Sequence, residues 1–333
     1  MFKLSLGKRV SAGSRLFVAL LFPLYLANPA FAQTNIRVGS TVSSDVSAAA
    51  LSLGMKTGAF KKAGLNIELT TFVQSSQKYD SIKGNAIDID INMGAVNAAQ
   101  LYSSGVPITV LRAVTPADIW AVVARPDSKL SKPADFKGKR FGVVSLSGAN
   151  FAVTYLAFKT QSVDFMREVK VSALPPSALL TALDKGDIEG ATIYEPYLTG
   201  ALKTGRVKVL FRPGELYQKR FGEPFIALVI TGRNEFIQKN RAAAAKFIAV
   251  MEQMLANLPA NVDLASQALV ENMPDMKITT AEAKEMLIPY MPNVIKSAND
   301  PQLIKRAQNM YDRLLEVKQL QEPVKASAFW TRL

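Results

Sequence analysis

Three short stretches hold residues whose types and spacing could do chemistry. The first is Ser145-Leu146-Ser147-Gly148-Ala149-Asn150, where a β-like run, GVV, gives way to an apolar helix-like run. A serine nucleophile usually takes its proton acceptor from a histidine. The chain has no histidine and no cysteine, so a Ser-His-acid triad and thiol chemistry are both excluded. Val143 stands two before Ser145, which breaks the G-x-S-x-G elbow. No S-x-x-K follows either serine, and the loop lacks the lysine of a phosphate-binding G-x-x-x-x-G-K-[ST]. Two readings remain. Free backbone N–H groups at the helix start, with Gly148 allowing close approach and hydroxyls adding donors, could cradle an anion. Alternatively, Ser147 or Asn150 simply caps its own helix.

The second stretch is Ile87-Asp88-Ile89-Asp90-Ile91. On a strand the two aspartates share one face and the isoleucines the other. Paired carboxylates could serve hydrolysis, could be ion-paired at a strand end, or could place Asp90 at the mouth of a cleft. The third is Tyr194-Glu195-Pro196, after the strand-like run ATI. Proline suits the first turn of a helix, so Glu195 sits at a helix start. It either caps that helix through the dipole or reaches an ammonium or N–H on a ligand. Metal chemistry has little to work with: only oxygen ligands are available, and no D-x-D-x-D-G loop occurs.

The elements that position these stretches alternate. NIRVGS, NIELTTF, IDIDIN and ITVLRAV read as strands, separated by the helical runs SAAALSLGMKTGAF, SSQKYDSIKG and GAVNAAQLYSSG. IWAVVAR, Ile119 to Arg125, is a further strand, and a second series with the same rhythm runs from RFGVVS to VKVLF. FIALVITG then resumes as a strand. Such alternation predicts mostly parallel sheets covered on both faces. Beyond Arg233 the chain is helical, with Phe247, Val250, Met251, Met254 and Leu255 on one stripe and Leu303, Ala307, Met310 and Leu314 on another. KGNAIDIDINMG and KGDIEGATIYEP form an internal echo, as any two αβ units can. The first series repeats the helix-start geometry of the Ser147 loop: Ser40, Thr41, Ser43 and Ser44 follow its first strand, and Asn92, Gly94 and Ala95 its third. In open α/β sheets ligands sit beyond the carboxyl ends of strands, so these turns are expected to converge.

Composition bounds the setting. Lys3, Lys8, Arg9 and Arg15 precede an apolar run, Leu16 to Leu26, which ends in Ala30-Phe31-Ala32. This predicts a signal peptide over residues 1–32, cleaved before Gln33, and hence export. No cysteine follows the run, which excludes a lipoprotein anchor, and no later run is long enough to span a membrane. The leader holds four of the forty basic residues and no acid, so thirty-six bases face twenty-seven acids beyond it, a net charge of +9. The charges are scattered without a basic stripe interleaved with aromatics, which argues against nucleic acid.

Together the leader, IRVGST, GAFKKAGLNIEL, IKGNAIDI, SSGVPITVLRAV, KPADFKGKRFGV and ALDKGDIEGATIYEP resemble the periplasmic substrate-binding proteins of nitrate-, sulfonate- and taurine-type ABC importers, relatives of the thiamine-pyrimidine-binding branch. The resemblance covers most of Ile36 to about Ile230. It implies a type II periplasmic binding fold: two doubly wound α/β lobes, joined by two crossover strands near Ala121–Arg125 and Pro224–Ile230, with a helical C-terminus. Lobe one would take 33–123 and 225–333, and lobe two 124–224. It implies a small-molecule ligand between lobes that close by hinge motion, delivery by a periplasmic monomer to a membrane permease and its ATPase, no catalysis and no cofactor. Matched positions put Ser40, Thr41, Ser43, Ser44, Asn92, Gly94, Ala95, Thr115, Ser145, Ser147, Gly148, Asn150, Tyr194 and Glu195 at the cleft. Net charge and donor-rich turns favour a small organic anion such as an alkanesulfonate, or taurine if Glu195 faces the cleft. A thiamine pyrimidine or other heterocyclic nutrient is the alternative ligand, although the histidine and cysteine-rich motif of enzyme-like members of that branch are absent. A secreted carboxylate-dependent hydrolase is the alternative of a different class.

Overall fold

Ten strands form two sheets of the same plan in the computed structural model, which describes residues 33–296 and 299–333. The expected signal peptide over 1–32 lies outside the described residues. β1 (Thr34–Thr41), β2 (Leu65–Phe72), β3 (Ile89–Gly94), β4 (Ile108–Pro116) and β10 (Ile226–Arg233) make the first sheet, in the order β2-β1-β3-β10-β4. β5 (Ala121–Ala124), β6 (Arg140–Val143), β7 (Lys170–Ala173), β8 (Gly190–Ile193) and β9 (Lys208–Phe211) make the second, in the order β7-β6-β8-β5-β9. β1 runs parallel to β2 from Thr34 opposite Leu65 to Thr41 opposite Phe72. β10 lies antiparallel between β3 and β4, and β5 antiparallel between β8 and β9. The two segments of the internal echo end on β3 and β8, which hold the central position in their respective sheets.

The strands expected to span the lobes instead adjoin the crossings. The chain passes to the second sheet through a 3-10 turn, Ala117–Ile119, and returns between Phe211 and Ile226. The boundary expected after Val123 therefore falls inside β5, whose partners both lie in the second sheet.

Helices cover both faces of each sheet. In the first half of the chain they are α1 (Val46–Lys56), α2 (Ala59–Lys62), α3 (Ser75–Lys83), α4 (Ala95–Ser103), α5 (Gly148–Thr160) and α6 (Phe165–Glu168). α7 (Pro176–Lys185), α8 (Tyr197–Lys203) and α9 (Pro213–Phe221) follow in the second lobe and its return. The C-terminal region adds α10 (Asn234–Lys239), α11 (Arg241–Asn257), α12 (Val262–Asn272), α13 (Thr280–Leu287), α14 (Pro301–Glu316) and α15 (Ala326–Phe329). The α11 stripe packs on one face of the first sheet with α1 and α12, and the α14 stripe on the other face with α4. Their methionines are core: Met251, Met254 and Met310 are buried.

α5 belongs to both lobes. Phe151 and Phe158 join a ring cluster with Phe136, Phe141 and Phe165 under the second sheet. Ala149, Ala152, Val153 and Leu156 pack into the first lobe's core with Met93 and Ala95. A helix with partners on opposite sides has no solvent face to make polar, which explains its apolar run AVTYLAF.

Candidate functional site

The carboxyl ends of β1, β2, β3 and β4 in one sheet and of β6, β7 and β8 in the other line a shared cleft of about 860 Å³. Twelve of the fourteen residues singled out above line it. The exceptions are Ser40 and Ala95, both fully buried: Ser40 faces the Asn92 amide, and Ala95 lies in the core.

On the first-lobe wall, the helix start expected to cradle an anion is already filled. Asp45 is the N-cap of α1, and its Oδ1 accepts from the Ser47 N–H at 2.8 Å and the Ala48 N–H at 3.1 Å. Oδ2 accepts from Asn92 Nδ2 at 2.8 Å and from the Ser43 hydroxyl. Ser44 turns away to Met286 Sδ, and Thr41 lies against the Ser75 hydroxyl. Asn92 is likewise saturated: its Oδ1 accepts from the Thr41 N–H at 3.0 Å and from Lys78 Nζ at 2.6 Å. Lys78 and Asp90, both fully buried, form an ion pair at 2.8 Å. Burial pushes the Asp90 carboxyl up against the pull of that ammonium. Asp90 does not reach the cleft. Asp88 is bound by Arg37 at 2.6 Å and Arg233 at 3.0 Å; burial opposes its charge, but the two guanidiniums hold it below the usual carboxylate range. The two aspartates are thus separately ion-paired and face no common substrate space.

The second-lobe wall is different. Ser147 is the N-cap of α5, yet its side chain makes no capping bond. Its hydroxyl lies 3.2 Å from that of Ser145, which also accepts the Ser147 N–H at 3.2 Å. Asn150 does not cap either: both its amide atoms are buried without a partner, as is Thr115 Oγ1 across the cleft. Capping therefore does not account for these residues. Gly148 has φ +85°, and a Cβ there would stand 2.8 Å from Asn97 Oδ1; one on Gly94 would stand 2.4 Å from the same atom. The two glycines let α4 and α5 meet around Asn97 where the lobes touch.

Glu195 resolves into a cap that also lines the cleft. Its carboxylate accepts from the Thr199 N–H and hydroxyl, each at 3.0 Å, and from the Tyr290 hydroxyl at 3.2 Å. Burial raises the carboxyl above its usual range despite these donors. Burial, and then the Glu195 charge, push the Tyr290 phenol up to about 12. Tyr290 belongs to the C-terminal region, so this hydrogen bond ties the lobes together. Tyr79, Trp120, Tyr194, Tyr197 and Tyr290 give the cleft an aromatic lining, with Tyr194 edge-on to Tyr197 at 5.9 Å. Among the described residues that line it, the charged groups are Asp45 and Glu195; no lysine or arginine does so. The basic surplus lies elsewhere, contrary to the expectation that it would favour an anion here. Sequence reasoning missed Asp45, Asn97, Trp120 and Tyr290. Only Asp45 left a local signal, an acid directly before an apolar helical run.

The model of the family described as NMT1/THI5 like matches residues 47–261. The taurine-binding periplasmic protein of Escherichia coli (strain K12) is 26% identical over 254 residues, covering 74% of each chain. The structure is similar to that of the periplasmic aliphatic sulphonate binding protein SsuA from Escherichia coli, with a TM-score of 0.75 at 17% identity over 90% of this chain and 93% of that one. It is also similar to the alkanesulfonate-binding protein SsuA from Xanthomonas axonopodis pv. citri bound to MOPS, with a TM-score of 0.73 at 14% identity over 90% and 99%. The fold is that of the periplasmic binding proteins, and the chain belongs to the NMT1/THI5-like family.

Proposed function

We propose that the chain is the solute-binding component of an ABC importer. It is exported by the leader over 1–32, works in the periplasm as a monomer, and delivers its solute to a membrane permease served by an ATPase. The two lobes, with β5 counted in the second, close on the solute, the first hinge lying at Ala117–Trp120. The observation that carries the reading is the uncapped start of α5 inside the cleft, beside the unpartnered Asn150 and Thr115. Buried polar atoms without partners are rare in finished cores, and a bound solute supplies such partners.

The solute favoured is a small organic anion with an N–H group, an alkanesulfonate or taurine-like compound. Its anionic end would rest on the Ser147–Asn150 backbone and the Ser145 and Ser147 hydroxyls. Its N–H end would meet Glu195, whose three donors leave acceptor capacity unused. The curated relative's name supports the choice. A second reading, an amino-bearing heterocycle such as a thiamine pyrimidine, is supported by the five aromatic side chains and by the lack of a cationic side chain in the lining. Hydrolysis by the Asp88 and Asp90 pair finds no support, because both are ion-paired away from the cleft. Turnover of a candidate solute by the purified protein would restore that reading.

Calorimetric titration with taurine and short alkanesulfonates tests the proposal. The Ser145→Ala/Ser147→Ala variant should bind about 5–30-fold more weakly, at roughly 1 kcal/mol for each hydroxyl lost. Its melting temperature should be unchanged, since neither hydroxyl caps α5. Equal affinity in variant and wild type contradicts the proposed anion seat.

A further inference from the structure

We infer that Arg212 is a positioning residue for the solute: set where the two crossings meet, it backs Tyr290 and holds the Glu195 carboxylate ready for the N–H end of the solute. The inference rests on the cleft being the solute site proposed above.

The place of Arg212 follows from the return crossing. β9 ends at Phe211 and α9 begins at Pro213, so Arg212 is the one residue between them. β9 pairs within the second sheet. α9 is already tied to the first lobe: Tyr217 lies in that lobe's core, and Arg313 of α14 donates to its hydroxyl at 2.6 Å. The change of lobe therefore falls at Arg212. Its guanidinium reaches the other crossing, where Nη1 donates to the Asp118 carbonyl. α9 presses there too, since a Cβ on Gly214 would stand 2.5 Å from the Ala117 carbonyl.

From that position Arg212 faces the tie between the lobes. Its guanidinium lies 5.8 Å from the centre of the Tyr290 ring, a distance at which a cation is drawn to an aromatic face. The hydroxyl of the same tyrosine donates to Glu195 Oε1 at 3.2 Å. The other donors to Glu195, the Thr199 N–H and hydroxyl, are neutral. A buried carboxyl with neutral partners alone tends to keep its proton, and a protonated Glu195 would give an ammonium no charge to pair with. The Arg212 charge works against that, pulling the Glu195 carboxyl down while burial pushes it up. It acts in the same sense on the Asp118 carboxyl, which also accepts from the Asn293 amide. Lys203, at the far end of α8, pairs with Glu285 instead. Arg212 stays outside the cleft lining, so it favours the charged Glu195 without offering the solute a cation.

Arg212→Gln tests this, with Arg212→Lys as the variant that keeps the charge. In the solute-free protein, carbon-13 carboxyl NMR follows the glutamates, and Glu195→Gln identifies the Glu195 signal. The pH midpoint of that signal should rise by roughly half to one pH unit in Arg212→Gln and stay near the wild-type value in Arg212→Lys. The probes for binding are taurine and ethanesulfonate, which differ in the amine and do not themselves change charge between about pH 5 and 8. The ratio of taurine to ethanesulfonate affinity should fall on acidification. Its midpoint should lie at a higher pH in Arg212→Gln than in wild type, and the ratio should be flat in Glu195→Gln. A purely structural Arg212 weakens both solutes alike and leaves both pH midpoints where they were; that result overturns the inference. Arg212→Met, which keeps the apolar stem, takes the place of Arg212→Gln should that variant fold poorly. A wild type that binds neither sulfonate overturns the solute reading instead, and the carboxyl titration still decides whether Arg212 holds Glu195.

Discussion

Glu195 keeps its carboxyl in a place that disfavours charge. Burial raises it, so the folded protein holds that proton more tightly than the unfolded chain does. The stability this contributes is full below the ordinary carboxyl range and is lost as pH rises through the raised value. Glu195→Gln keeps an acceptor for Thr199 and Tyr290 and removes the titration. Its stability relative to wild type should grow between about pH 4 and neutrality, where an unperturbed glutamate would already be ionised. Urea unfolding at the two ends of that range checks this; a difference independent of pH contradicts it. The ion pair of Lys78 and Asp90 behaves otherwise. Lys78→Met leaves a fully buried carboxylate without its partner, at a cost of about 3–5 kcal/mol, measurable as a fall in the urea midpoint. Glu195 and Ser147 were legible because a strand end running into a helix start is a local pattern. Tyr290, which binds Glu195 from 95 residues away, left no such pattern.

At the scale of elements, α5 carries the account. Its first residues are the proposed anion seat, and its body joins the two cores. Gly148→Ala places a side chain at φ +85° with its Cβ 2.8 Å from Asn97 Oδ1, so both backbone and seam resist it. The strain alone amounts to about 1–2 kcal/mol, and the melting temperature should fall by several degrees. An unchanged melt would mean that the seam gives way without cost. The alternation of strands and helices was readable from period and turn residues. The first crossing was placed a few residues late because β5 is a short apolar run that would suit either sheet. Its membership is decided by antiparallel pairing with distant strands, Ala121 opposite Ile193 and Val122 opposite Phe211.

At the scale of the molecule, two sheets of one plan present their strand ends to each other, and unlike walls meet between them. On one wall Asp45 caps the start of α1, and on the other the start of α5 has no side-chain cap. The lobes are tied across the cleft by Tyr290 with Glu195 and by the ion pair of Lys203 on α8 with Glu285 on α13. The sequence legibly predicted the two lobes and the converging turns. It misled on charge, because a surplus counted over the whole chain says nothing about which side chains line one cleft. The most direct measurement is the thermal unfolding of the chain from Gln33 onward with taurine, alkanesulfonates and thiamine pyrimidines. A solute present at about a hundred times its dissociation constant adds roughly 2.7 kcal/mol, a rise of about 5 °C for a chain of this size. The account predicts such a rise for at least one of these compounds, largely lost in the Ser145→Ala/Ser147→Ala variant. No rise with any of them, or an equal rise in the variant, would contradict it.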